Sequence, residues 1–209
     1  ARLADAPGGA LDWIVGVFLI EDKIDFDSVW TTFSARTIYT HDYAQDRSSA
    51  AVFGNLDWYA TDKLQVSAGL RFTSDDVSYR GRNVDLNPWG ISTYRTTFAT
   101  VSPFAWNQSF SDDDVSGKLT VAYQATEALN AFVSVGRGYR GGGFDGTSIF
   151  TVEETLPFAS ETVVTYEAGL RFTTPRLRAS LDVFSSRFEE LQATTRLSND
   201  TNGRTNVGE

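Results

Sequence analysis

The sequence predicts an all-β fold: an antiparallel transmembrane β-barrel segment of about seven to eight strands, part of a larger barrel. Three features carry this expectation. Long stretches alternate apolar and polar side chains with a period of two, helical periodicity is nowhere sustained, and the connections alternate between very short and long. Strands in soluble sandwiches run to about five or six residues, whereas the matched stretches here are about twice as long.

Strands are expected at 11–21, 49–60, 63–74, 114–126, 128–140, 161–174 and 176–190, with an eighth beginning near Val207. The clearest is KLQVSAGLRFT, where Leu64, Val66, Ala68, Leu70 and Phe72 share one face and Gln65, Ser67, Gly69, Arg71 and Thr73 the other. VSGKLTVAYQ, VTYEAGLRFT and RLRASLDVF repeat the pattern. The short connections share a signature: Ala60-Thr61-Asp62-Lys63-Leu64, Ala125-Thr126-Glu127-Ala128-Leu129 and Thr173-Thr174-Pro175-Arg176-Leu177. They read as one hairpin turn used three times. The segments 22–48, 75–113, 141–160 and 191–206, rich in Asp, Asn, Ser, Thr and Gly, are expected to be long loops on the other side. Trp58, Tyr59 and Tyr123 near the short turns, and Phe72, Tyr139 and Tyr166 near the long loops, are placed for two interfacial girdles.

Composition narrows the function. The longest apolar run, Trp13 to Ile20, falls well short of the roughly 20 residues of a membrane-spanning helix. A net charge of -9 without a Lys/Arg cluster argues against nucleic acid as a partner. With no cysteine there is no thiol catalysis, disulfide or thiolate metal site. The single histidine, His41, lies in THDYAQD and reads as an ordinary loop residue. No hydroxyl nucleophile has a base near it and no carboxylate pair stands out, so no catalytic residue, metal site or cofactor is assigned, and the chain does not read as an enzyme. The chain starts at Ala1 and has no Met, so it is expected to be processed or a piece of something longer.

FVSVGRGYRGGGFDG places Gly136, Gly138 and Gly141 on the spacing of a dinucleotide-binding turn, but no helix former follows to hold a pyrophosphate. Strand parity instead sets Ala131, Val133, Val135 and Tyr139 toward lipid, and Phe132, Ser134, Gly136, Gly138 and Arg140 toward the lumen. The glycines either thin the inner wall or permit a bend at the rim. Arg71 and Arg171 also point inward, with Asp57 and Glu167 as expected partners. Arg80, Arg82, Trp89, Tyr94, Arg95 and Phe144, in loops or at the rim, could stack on or pair with an anionic ligand. The acidic clusters Asp75–Asp76 and Asp112–Asp114 read as solvated surface before a calcium site.

Four segments resemble the TonB-dependent outer-membrane receptors. LDWIVGVFLIEDK is similar to that family's tryptophan-led strand, and SSAAVFGNLDWYATDKLQVSAGLRFTSDD to its AVFGQ…TD-x-L…GLRYT hairpin. VSGKLTVAYQATEALNAFVSVGRGYRGGGFD resembles the hairpin ending S-R-G-[FY]-[KR]-[SG]-G-G-[FY], and ETVVTYEAGLRFTTPRLRASLDVFSSRFEELQ the one beginning E…YE-x-G-[LF]-[KR]. The resemblance implies a Gram-negative outer-membrane location in contact with lipid, and uptake of a scarce bulky nutrient, most often a ferric siderophore. Energy would come from the TonB complex through an N-terminal part. The resemblance also implies a whole barrel of about 22 strands; the N-terminal part, the plug domain and the terminal strands are missing from this sequence, which leaves a partial barrel domain over 1–209. A small self-contained pore or adhesin barrel and a soluble carbohydrate-binding β-sandwich remain the alternatives.

Overall fold

The structure is a computed structural model that describes residues 1–4, 9–146, 150–196 and 202–208. Eight strands form one antiparallel sheet in chain order: β1 (Arg2–Ala4), β2 (Leu11–Thr32), β3 (Thr37–Thr61), β4 (Leu64–Asp85), β5 (Phe104–Gln124), β6 (Leu129–Arg140), β7 (Glu161–Thr173) and β8 (Arg178–Glu189). A single helical turn, α1 (Tyr94–Thr97), lies between β4 and β5. β9 (Leu191–Arg196) and β10 (Asn202–Val207) form a separate hairpin.

The repeated short turns have a common cause. Thr61 Oγ1 accepts the amides of Lys63 and Leu64 (3.2 and 3.0 Å), Thr126 Oγ1 those of Ala128 and Leu129 (3.3 and 3.1 Å), and Thr174 Oγ1 those of Arg176 and Leu177 (3.4 and 3.0 Å). One hydroxyl thus accepts from two amides at the tight reversal, where the regular ladder ends. Thr126→Val, which keeps the shape and removes the acceptor, is expected to lower stability by about 0.5–1.5 kcal/mol in detergent-phase unfolding, with Thr126→Ser close to wild type. An unchanged Thr126→Val midpoint would remove the hydroxyl from this role.

The strands are longer than the sequence suggests on the far side. Segment 22–48, expected as a loop, is a continuation of β2 and β3, whose register runs unbroken from Leu11↔Trp58 to Thr32↔Thr37 and leaves only 33–36 as the turn. Segment 75–113 likewise divides into the upper halves of β4 and β5, and only 86–103 connects them. Segment 141–160 does remain a connection, carrying one bridge, Gly143↔Phe158, and a 3-10 turn at Glu153–Thr155. Segment 191–206 is largely the β9–β10 hairpin. The strand expected to begin near Val207 is not found: β10 instead ends at Val207 and pairs with β9, and the eighth strand of the main sheet is β1.

The reason is an exchange of faces. In the lower half, Trp13, Val15, Val17 and Leu19 of β2 stand in one row with Leu56 and Val52 of β3, Ala68, Leu70 and Phe72 of β4, and Leu119 and Val115 of β5. This is the outer row, apolar and exposed: Leu19 is 77% and Leu70 67% accessible. A contiguous apolar surface of this extent fits lipid rather than water. Followed upward, the same outer row becomes Glu21, Lys23, Asp25 and Asp27 on β2, Asp46 and Asp42 on β3, and Asp76, Arg80 and Arg82 on β4. The inner row becomes aromatic instead: Phe26, Tyr43, His41, Tyr79 and Trp106. The period of two persists while its polarity inverts.

Two girdle assignments change accordingly. Tyr59 falls on the inner row with Asp57 rather than beside Trp58. Tyr139, expected on the lipid face, reaches inner carboxylates, because β5–β6 pairing stops at Gly117↔Arg137 and the end of β6 parts from β5. Trp58, Tyr123, Phe72 and Tyr166 remain exposed on the outer row.

Candidate functional site

The upper inner face of β3–β5 is covered by the β6–β7 connection, which folds back onto it. Two aromatic clusters result. Val77, Tyr79, Trp106 and Phe144 form the first, with Tyr43, Phe104 and Phe110 against it. Ala35, Tyr39, Tyr94 and Phe150 form the second, flanked by Phe98. Phe144 and Phe150 come from the connection, Ala35 from the β2–β3 turn, and the remainder from strands and the β4–β5 segment. Phe144 stacks on Tyr79 at 5.1 Å, and Phe150 on Phe98 at 4.0 Å. Gly81 permits this packing: a Cβ there would sit 2.2 Å from the Trp106 ring and 2.7 Å from the Asp42 carbonyl oxygen.

His41 is not a loop residue. It is an inner-row residue of β3, 3% exposed, stacked on Trp106 at 5.9 Å. Its Nδ1 lies 2.6 Å from Asn83 Oδ1, and its Nε2 is 3.3 Å from the Gly146 carbonyl oxygen. This contact with Gly146 ties the connection to the wall.

A polar belt lies below the aromatics. Tyr139 Oη donates to Asp75 Oδ2 (3.0 Å) and sits 3.4 Å from Asp112 Oδ2, Arg47 is 3.7 Å from Asp75, and the Ser160 hydroxyl donates to Asp112. Arg137 forms an ion pair with Asp114. Gln192 of β9 donates from Nε2 to the carbonyl oxygens of Gly141 (3.0 Å) and Ala159 (3.1 Å), which clamps the two ends of the connection together. Arg47, Asn83, Arg137 and Gln192 carry no motif in sequence. Their only signal is polarity in otherwise apolar or loop-like surroundings.

Burial raises the pKa of the Tyr79 phenol, with Tyr43 and Asp145 adding to the effect, and burial raises that of Tyr94 as well. Both stay protonated at neutral pH and available as donors. The folded state holds these protons more tightly than the unfolded chain, so stability is unaffected below the ordinary phenol value of 10.0 and falls as pH rises above it. Absorbance titration at the phenolate band is expected to show a late-ionising class of tyrosines. A single class near the ordinary value would contradict the buried arrangement.

The residues singled out in sequence divide among three places. Ser134, Gly136, Gly138 and Arg140 lie on the inner row of β6, where the β6–β7 register passes through both glycines without a shift. A Cβ at Gly136 would meet nothing closer than 3.6 Å. Arg140 lies 4.0 Å from Glu161. Arg71 and Arg171 are inner-row residues too, but without the expected carboxylates. Arg71 donates to Thr73 Oγ1 (3.0 Å) and covers the Phe18 ring at 5.2 Å, while Arg171 covers Phe132 at 4.7 Å. Asp57 is taken by Ser67 and Gln65, and Glu167 by Lys118 and Ser134, all nearer in the ladder.

Tyr94 and Phe144 come together in the adjoining aromatic clusters. Arg80 and Arg82 stand on the outer row, away from them, with Arg80 3.0 Å from Asp46. Trp89 and Arg95 are exposed on the β4–β5 segment. The acidic runs are split by strand alternation: Asp75, Asp112 and Asp114 face inward, and Asp76 and Asp113 outward. Among the described residues no group of three or more His, Asp or Glu is placed to hold a metal ion.

Residues 9–209 match the family model "TonB dependent receptor-like, beta-barrel". The pesticin receptors of Yersinia enterocolitica and Yersinia pestis are each 22% identical over 192 residues, covering 92% of this chain and 26% of the relative. The crystal structure of the ferric yersiniabactin uptake receptor FyuA from Yersinia pestis superposes with a TM-score of 0.79 at 20% identity, over 99% of this chain and 29% of that one. The ferric-catecholate import receptor Fiu of E. coli K12, in its closed form, gives 0.52 at 12% identity, over 93% and 34%. The chain thus spans about a quarter of the length of the curated relatives it matches. Long antiparallel strands with an apolar outer band, sequential pairing and a family match over nearly every residue lead to one assignment: the chain belongs to the TonB-dependent receptor β-barrel family.

Proposed function

We propose that this chain is part of the barrel wall of a Gram-negative outer-membrane receptor that takes up a scarce, bulky nutrient, a ferric siderophore, with energy supplied through the TonB complex. The observation that carries the reading is the exchange of faces. An apolar outer band for lipid lies below, and a hydrated outer surface lies above, around an inner aromatic and polar site under a folded connection. The names of the similar proteins, a ferric yersiniabactin uptake receptor and a ferric-catecholate import receptor, support iron chelates as the first ligands to try. TonB would engage a segment outside this chain. The inner-row residues Ser134, Gly136, Gly138, Arg140, Arg71 and Arg171 would face the lumen contents. Tyr94 and Phe144, with Arg80, Arg82, Trp89 and Arg95 at the rim, would border the entry.

The test is radio-iron uptake by iron-starved source cells with and without the intact gene, offered a panel of ferric chelates that includes ferric yersiniabactin, alongside membrane fractionation. Loss of uptake of at least one chelate on deletion, abolished equally by a protonophore, is the expected result. Recovery of the protein in the soluble fraction, or identical uptake of every chelate, would overturn it.

A further inference from the structure

Phe144 is held in an unusual way. Its ring lies flat on Tyr79, with interplanar angle 23°, in a cluster whose other walls are Trp106 and Tyr43. Tyr79 is fully buried and Trp106 is 7% exposed, yet neither the Tyr79 hydroxyl nor Trp106 Nε1 has a hydrogen-bond partner among the described residues. The two rings are neighbours, with centroids 5.7 Å apart, and no hydrogen bond joins them. Buried polar groups in folded proteins are nearly always bonded, and each orphan bears its desolvation cost with no bond in return. Here two occur together, both on side chains of the cluster that holds Phe144, whose hydrocarbon ring offers no acceptor.

The segment that brings Phe144 is joined to the wall by side-chain contacts, His41 to Gly146 among them, and not by strand pairing with β3–β5. The β5–β6 ladder ends at Gly117↔Arg137, three consecutive glycines follow Arg140, and the backbone of the connection is held to itself by the Gly143–Phe158 pair (3.1 and 2.9 Å). Withdrawal of Phe144 would break no strand pairing of the main sheet.

We propose that Phe144 is an intramolecular placeholder in a subsite for a planar aromatic ring bearing a hydrogen-bonding oxygen, a phenol or catechol group of the incoming ligand. Such a ring replaces the stacking on Tyr79 and adds what Phe144 lacks, an oxygen to accept from Trp106 Nε1 and pair with the Tyr79 hydroxyl. Displacement of Phe144 then couples occupancy of the subsite to lifting of the β6–β7 connection. This rests on the reading that the upper inner face receives the ligand, and it assigns the chemistry of one part of that ligand.

The experiment uses the natural full chain purified in detergent, without iron, and titrates catechol and benzene calorimetrically into wild type, Phe144→Gly, and Phe144→Gly combined with Tyr79→Phe. Phe144→Leu serves as a milder opening if the glycine variant fails to fold. Catechol is expected to bind the Phe144→Gly protein about tenfold or more tightly than wild type, and more tightly than benzene, with that preference reduced by Tyr79→Phe. No gain for catechol in either Phe144 variant, or equal gains for catechol and benzene, would overturn the proposal. Because no iron is used, the two readings separate. Catechol gain without chelate uptake in cells keeps the subsite and removes the ferric reading. Chelate uptake without catechol gain does the reverse.

Discussion

Val133→Arg is expected to destabilise the folded barrel by about 2–4 kcal/mol in lipid vesicles, whereas Ser109→Arg changes it by less than about 0.5 kcal/mol. Both positions belong to the outer row, and both are on strands of the same sheet. Val133 pairs with Val121 and Ala168 and is 57% exposed on the apolar band, so the arginine is buried in hydrocarbon. Ser109 lies opposite Ser78 on β4, two positions from Arg80, where the outer row has already turned polar and an added cation stays hydrated. Equilibrium unfolding in denaturant from vesicles measures both. Equal penalties would mean that the band continues upward past Ser109, and the exchange of faces would be wrong.

Trp106→Ala carries the second large effect, about 3–5 kcal/mol by the usual cost of removing a buried tryptophan. The loss is local rather than global. Trp106 touches Tyr79, His41 and Phe104 by ring contacts and is the largest member of the cluster under Phe144. Below it, the lower halves of β3–β8 keep every ladder hydrogen bond. Hydrogen exchange at the Gly143 and Phe158 amides, each bonded to the other's carbonyl, is therefore expected to accelerate by a factor on the order of 100 or more. Lower-strand amides such as Val121 would stay protected. Uniform acceleration across both regions would show that the aromatic cluster supports the whole sheet and not a separable cover.

The lower halves of the strands were legible because each alternates against one fixed pair of surroundings, lipid outside and polar lumen inside. Leu64 through Thr73 states that alternation without a break, and the three threonine turns repeat because the same hydroxyl solves the same local problem at Thr61, Thr126 and Thr174. Those features need only near neighbours in the chain. What the sequence could not show is which surface lies over a strand once it leaves the membrane. The stretch from Asp22 to Ser48 looks like a loop because its outer row is charged, and it is a strand because its inner row is covered by residues some hundred positions away, Gly146 on His41 among them. The same long-range packing buried Phe144 and Tyr94 and turned Tyr139 inward at the point where β6 leaves β5. It also left Arg71 and Arg171 over phenylalanine rings, because Gln65, Ser67, Lys118 and Ser134 reach Asp57 and Glu167 first. Local patterns determined the lower half of the sheet and its turns, and four motif-bearing segments its family. The tertiary structure decided which face is inside above the membrane, because that depends on a covering segment whose contacts are distant in sequence and invisible to any local pattern.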